Sequence, residues 1–202
     1  MSRNLTILAL GVVLAVLPLR APATTVIAPD FDALVTQADY VVHAVVKSVN
    51  SEWRETDGHR YIATQVELQV TEVVRGTPPQ PLVLQVVGGT VGNDTLVIAE
   101  APKFVVGDEG IFFVQGNGHQ MYPLVAIMHG LYPVYHDVKS GLAYVVRSNG
   151  MPLYSEQEVS LPMSEASAVK TADPAAKPMS VAAFEQKIRS VTASAARTSQ
   201  QQ

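Results

Sequence analysis

The sequence predicts an all-β domain: a small β-barrel, with a β-sandwich as the alternative, preceded by a short helix and followed by a tail that ends in a second short helix. Three observations carry that expectation. From residue 40 to residue 147 the chain reads as short apolar segments, spaced about 8 to 15 residues apart and punctuated by Gly, Pro, Asn and Asp, with almost no helical period between them. One segment alternates strictly, Ile62, Thr64, Val66, Leu68 and Val70 against Tyr61, Ala63, Gln65, Glu67 and Gln69, as a strand with one wet face does. Its phase then slips at Glu72-Val73-Val74, which predicts a bulge of the kind that lets a long strand curl.

The elements follow in order. Arg3 precedes the uncharged apolar run Leu5–Leu19, which is broken by Pro18 and followed by Ala21-Pro22-Ala23. The run is shorter than the roughly 20 residues that cross a bilayer, so residues 1–23 read as a cleaved signal peptide, and the mature chain as periplasmic or secreted. Asp30 can cap a short helix near 30–38, in which Phe31, Leu34, Val35 and Ala38 form one apolar stripe. Tyr40–Val49 is apolar on both alternating faces at its start, as in a strand covered on two sides. Asp57-Gly58 supplies a hairpin turn into the alternating strand, which Arg75-Gly76-Thr77-Pro78-Pro79 ends.

Further strands are expected at Leu82–Val87, Thr95–Ala99, Gly110–Gln115 and Met121–Ile127. Leu131–Tyr135 and Leu142–Arg147 should form a terminal hairpin around Lys139-Ser140-Gly141. The barrel domain is therefore placed at 24–154. Residues 155–179, rich in Ser, Ala, Pro, Thr and Lys, read as a flexible linker. Ser180 then caps an amphipathic helix and tail over 180–202, with Val181, Phe184, Ile188 and Val191 on one stripe and Glu185 and Arg189 at the spacing of an ion pair. That stripe suits docking back on the barrel or binding a partner.

Charge narrows the function classes. Of 14 basic and 18 acidic residues, Arg3 and Arg20 fall within 1–23 and no acid does, so the mature chain keeps 12 bases against 18 acids, a net charge of −6. Such a chain has no reason to seek nucleic acid or an anionic membrane surface. The absence of cysteine excludes thiol catalysis, cysteine-zinc sites, disulfides and a lipid-modified cysteine anchor.

No catalytic set is visible. The histidines are His43, His59, His119, His129 and His136, and none forms the H-E-x-x-H of a helical zinc site. His43 reads as a packed strand histidine, while His119, His129 and His136 could in principle converge from adjacent strands to hold a metal. No G-x-S-x-G occurs, and the carboxylate pairs Asp30/Asp32 and Asp108-Glu109 fall at a helix start and in a tight turn. Gly88-Gly89-Thr90-Val91-Gly92 lacks the lysine and the following helix of a phosphate loop. Its glycines suit a barrel corner, yet they also leave an accessible surface loop through Asn93 and Asp94. Trp53, Arg54 and Tyr61 flank the first hairpin, where aromatics offer large contact area.

Three segments together resemble the netrin/TIMP-like OB-fold domains. They are Ala38-Asp39-Tyr40-Val41-Val42-His43-Ala44-Val45-Val46, Val70-Thr71-Glu72-Val73-Val74-Arg75-Gly76, and Val106-Gly107-Asp108-Glu109-Gly110-Ile111-Phe112-Phe113-Val114. They match an "A-D-x-V-x-x-x-V" strand after a short helix, a "V-x-K/R-G" turn and an "x-x-G-x-x-Y/F-x-x-F" strand, over roughly residues 31–115. The chain is also similar to uncharacterised exported bacterial proteins that carry Gly88-Gly89-Thr90-Val91-Gly92 and Ala101-Pro102-Lys103-Phe104, a likeness that implies no activity. The first resemblance implies a small OB-like β-barrel. TIMP-type inhibition uses an N-terminal cysteine to chelate a protease zinc, and that mechanism does not carry over to a chain without cysteine.

The expectation is a non-enzymatic, exported binding or accessory module without a cofactor, whose partner is an extracytoplasmic protein, a protease being one candidate. Its binding residues are placed at Gly88, Gly89, Thr90 and Asn93 with Trp53 and Tyr61. Two alternatives stand beside it: a metal-dependent hydrolase using His119, His129 and His136, and a protease-associated inhibitor or chaperone that lacks the cysteine-zinc mechanism.

Overall fold

A computed structural model describes residues 27–98, 101–138, 140–163 and 176–199; the expected signal peptide, 1–23, lies outside them. The chain is mainly β. Helix α1 (Phe31–Gln37) starts where the Asp30 side chain accepts a hydrogen bond from the Ala33 N–H at 2.7 Å, and it buries Phe31, Leu34 and Val35. Strands β1 (Tyr40–Thr56) and β2 (His59–Arg75) form a hairpin of two 17-residue strands. Asp57 and Gly58 join them with φ of 51° and 75°, a type I′ turn whose twist suits the flanking strands. The phase slip is real. Pairing steps from Val41↔Arg75 to Val42↔Val73 and from His43↔Glu72 to Ala44↔Val70, leaving Val74 and Thr71 as bulge residues.

Next come β3 (Leu82–Val87), a two-stranded ribbon of β4 (Gly89–Val91) and β5 (Asp94–Leu96), β6 (Glu109–Val114), β7 (Leu131–His136) and β8 (Ala143–Val145). The main sheet is antiparallel in the order β3-β2-β1-β6-β7-β8, with the ribbon apart from it. It does not close into the expected barrel. The reason lies in β1 and β6, which are apolar on both faces: Val41, Ile111 and Phe113 serve one core, whereas Val42, Phe112 and Val114 serve another. A small barrel buries one face only. Here β7 and β8 extend the sheet past β6, and helices cover the face that a barrel would leave wet.

Main-chain and side-chain groups seal the two open ends. Along β3, Asn117 accepts from the Gln85 N–H at 3.0 Å and donates to the Val83 carbonyl at 2.8 Å, while the Val87 N–H reaches the Met121 carbonyl at 2.8 Å. Along β8, the Val145 N–H donates to Met179 and the Leu153 N–H to Val145. The strand expected at Met121–Ile127 is not formed. Leu124 makes a single bridge to Val114, Ala126 and Ile127 adopt left-handed φ of 47° and 55°, and a 3-10 turn runs over Ile127–Gly130.

The C-terminal helix α2 (Val181–Ser199) docks on the sheet. Phe184 and Ile188 are fully buried, and the Phe184 ring lies 4.9 Å from Tyr132, 5.7 Å from Phe31 and 6.0 Å from Phe113. Glu185 and Arg189, spaced to pair with each other, reach instead to His43 and to Glu72. Within the segment read as a flexible linker, a 3-10 turn over Glu156–Ser160 places Val159 in the same core, and Met179 joins it. Residues 164–175 lie outside the described residues. No described helix is long and apolar enough to cross a membrane.

Candidate functional site

The β4–β5 ribbon stands on one face of the β1–β2 hairpin, and two glycines make that approach. The Gly88 N–H donates to the Ile62 carbonyl at 2.8 Å, and the Thr64 hydroxyl donates to the Gly88 carbonyl at 2.6 Å. Gly89 has φ of 128°, and a Cβ there would fall on the hydroxyl oxygens of Ser51 and Thr64, themselves 2.8 Å apart. Glycine is thus required by conformation and by space together. At the ribbon's end Gly92 has φ of 61° and turns the chain beside exposed Asn93, while the Thr90 and Thr95 hydroxyls meet across the strands at 3.0 Å.

Between ribbon and sheet lies a pocket of about 350 Å³, walled by Val49, Ser51, Thr64, Gly89, Phe104 and Tyr122. Phe104 stacks on Tyr122 and Phe112, with ring centroids 6.2 and 6.4 Å apart. The Tyr122 hydroxyl donates to the Pro102 carbonyl, and burial raises its pKa. The pocket is therefore an apolar slot with a short polar wall, its hydroxyls bonded to one another and to the main chain.

The predicted binding residues divide. Gly88, Gly89, Thr90 and Asn93 share the ribbon. Trp53 pairs with Ile62 and lies on the hairpin face that the ribbon stands on, with the Arg60 guanidinium 4.7 Å from its ring centroid. Tyr61 pairs with Arg54 and projects from the opposite face, its hydroxyl 3.5 Å from that of Thr56. Strand alternation therefore separates Trp53 from Tyr61.

A second polar cluster lies on the face covered by helices, where local sequence patterns show little sign of it. His43 Nε2 is 2.7 Å from Glu109 Oε1, His43 Nδ1 is 3.0 Å from Glu185 Oε1, and Glu109 Oε2 is 2.8 Å from His136 Nε2. Each His43 ring nitrogen thus faces a carboxylate, so both contacts are hydrogen bonds only when the ring holds two protons or one carboxyl is protonated. Burial, the largest influence on Glu109, raises its pKa; the hydrogen bonds from His136 and His43, with the charge of both rings, outweigh it and leave Glu109 below its ordinary value. The carboxylate read as part of a tight turn is in fact the hub joining β1, β6 and β7. Strand pairing offered one sign: Glu109 opposes Val45, which lies two residues from His43 and so on the same face.

The histidines of the hydrolase alternative do not gather. His119 is exposed in the turn after Gly116 and His136 is held by Glu109. His129 is buried with Nδ1 3.3 Å from the Val159 carbonyl; burial lowers its pKa, the carbonyl opposes that, and the Arg147 charge adds to it. Among the described residues no three His, Asp or Glu side chains are placed to hold a metal ion. No protein-family model matches this chain, and no curated protein matches it.

Proposed function

We propose that this chain is a non-enzymatic binding or accessory module acting outside the cytoplasm, and that it recognises another protein through the β4–β5 ribbon and the pocket beneath it. One observation carries the reading: Gly89 seats the ribbon on the Ser51 and Thr64 hydroxyls, which fixes an exposed edge carrying Thr90 and Asn93 beside an apolar slot. Rigid polar groups next to a fillable pocket are what a contact surface needs, since little conformational entropy is lost on binding. The slot's hydroxyls are engaged in holding the ribbon, which favours binding over nucleophilic chemistry. A likeness to the netrin/TIMP-like group belongs to the same proposal, in the order of its elements and not in barrel closure; the order helix, strand, long bulged strand supports it. An extracytoplasmic protease remains one candidate partner, and inhibition or chaperoning without a cysteine-zinc contact are two forms such an association could take.

The test is capture of partners from the extracytoplasmic fraction by the immobilised full chain, beside Thr90→Ala and Asn93→Ala. Both side chains are exposed, so each variant should keep its stability within about 0.5 kcal/mol. The proposal expects a partner held by the parent chain and lost by the variants at unchanged melting temperature. Equal capture by all three proteins removes the ribbon as the site.

A further inference from the structure

The edges of the main sheet are covered in several places, and among the described residues the outer half of β1 is bare. Asn117 and Met121 cover β3, Leu153 and Met179 cover β8, and β6 covers β1 from Tyr40 to Val45. The cover on β1 then runs one residue further, through Val46 N–H to the Asp108 carbonyl and Gly107 N–H to the Val46 carbonyl. Beyond that point β1 continues to Thr56, and among the described residues no backbone group pairs with its outer side. The register from Ser48↔Glu67 to Thr56↔His59 is unbroken. A two-residue turn makes Thr56 and His59 a hydrogen-bonded pair, so even-numbered residues bond to β2 and Ser51, Trp53 and Glu55 point their N–H and C=O groups outward. Bare edges of this kind pair with other strands unless something prevents it.

We propose that β1 over Asn50–Thr56 pairs antiparallel with the same edge of a second copy of this chain, about a two-fold axis through Trp53. The side chains select that occupant. With the axis at Trp53, Glu52 of each copy faces Arg54 of the other, Ser51 faces Glu55, Asn50 faces Thr56, and the tryptophans face each other. Within one chain Arg54 Nε already lies 2.8 Å from Glu52 Oε1, so the pairing builds an alternating square of four charges. Moving the axis to Glu52 or Arg54 sets like charges opposite each other, which is unfavourable. Moving it to Ser51 drives the partner's Asp57-Gly58 turn toward Val46, where Asp108 and Gly107 already sit. Charges on an edge strand commonly block pairing, but here their order is self-complementary about one residue. Three outward residues from each copy give about six interchain backbone hydrogen bonds, and Trp53, 40% exposed in the single chain, gains cover. The contact is isologous and closes at two copies. It is independent of the ribbon's role in partner recognition.

The contact is short, so the dimer should depend on concentration, and its mass is best followed by sedimentation or light scattering between about 1 μM and 1 mM. The parent chain should move from monomer to dimer in that span. Arg54→Glu should stay monomeric, and Glu52→Arg combined with Arg54→Glu should restore the dimer. Cysteine substitutions give a second reading, because the chain has no cysteine of its own. Paired residues at the axis have Cα atoms about 5.5 Å apart, within disulfide reach, so Trp53→Cys should cross-link on oxidation. Asn50→Cys faces Thr56 and should cross-link at least about tenfold more slowly. A chain monomeric throughout the range overturns the proposal. So does a dimer indifferent to Arg54→Glu, or Asn50→Cys that cross-links as fast as Trp53→Cys.

Discussion

His43 on β1 and Glu185 on α2 meet at 3.0 Å across 142 positions of sequence, while the other ring nitrogen of His43 holds Glu109 at 2.7 Å. The ring is one of the polar ties between sheet and C-terminal helix, beside Glu72–Arg189, while Glu156–Lys187 ties the 3-10 turn to the same helix. Being partly buried, it should contribute more than those exposed pairs, whose usual worth is under about 1 kcal/mol. In urea unfolding, His43→Ala and Glu185→Ala are each expected to destabilise the chain by about 1 to 3 kcal/mol, and the double variant by less than their sum. Strict additivity would mean that the pair does not act as a unit.

Glu109 makes the cluster sensitive to acid. Its carboxyl lies below the ordinary value of 4.5 in the folded chain, so its contribution is present above that value and fades as pH falls through the lower folded one. The melting temperature of Glu109→Gln should therefore lie below that of the parent near pH 7, and the gap should narrow on acidification below about pH 4. A gap independent of pH would assign the loss to packing.

Gly89 and Gly92 separate two costs of adding a methyl group. Both have positive φ, but only at Gly89 does a Cβ meet the Ser51 and Thr64 hydroxyls; at Gly92 there is open space. Gly92→Ala should cost about 1 kcal/mol from conformation alone, and Gly89→Ala clearly more, read by thermal or urea unfolding. Equal costs would show that the ribbon can lift away from the hairpin.

Phe184→Ala should destabilise by about 3 to 5 kcal/mol, because the ring is fully buried among Phe31, Phe113 and Tyr132. Dye binding to exposed apolar surface should rise in the same variant. A loss under 1 kcal/mol, about that of a surface change, would mean that α2 is not part of the folded core.

What the sequence disclosed follows from the range of each interaction. Asp30 as a cap, Asp57-Gly58 as a turn and the bulge near Val74 are local, and each leaves its mark within a few residues. The division of Trp53 from Tyr61 was legible too: a two-residue turn fixes Thr56 opposite His59, hence Trp53 opposite Ile62. Sheet closure was not legible, because an alternating period tells which side of a strand is buried and not which strand lies beside the last. The run Met121–Ile127 misled for a related reason. Its apolar residues are needed in the core, Leu124 on one side of the sheet and Val125 on the other, but the chain reaches both through left-handed Ala126 and Ile127 rather than through a strand. The His43 cluster draws on four elements, with Glu185 far along the chain, and no local pattern announces such a meeting.

The docking of Phe184 also sets an order of events during synthesis. The β1–β2 hairpin needs only neighbouring residues and can form early, since short loops close at little entropic cost. The side of the sheet that carries Phe113 and Tyr132 has α1 beside it early, but its cover is completed only by a helix encoded near the end of the described chain. A ribosome-bound chain that has not yet released α2 therefore holds a finished hairpin beside an aromatic surface open to water, the kind of intermediate that chaperones retain and that aggregates when they do not.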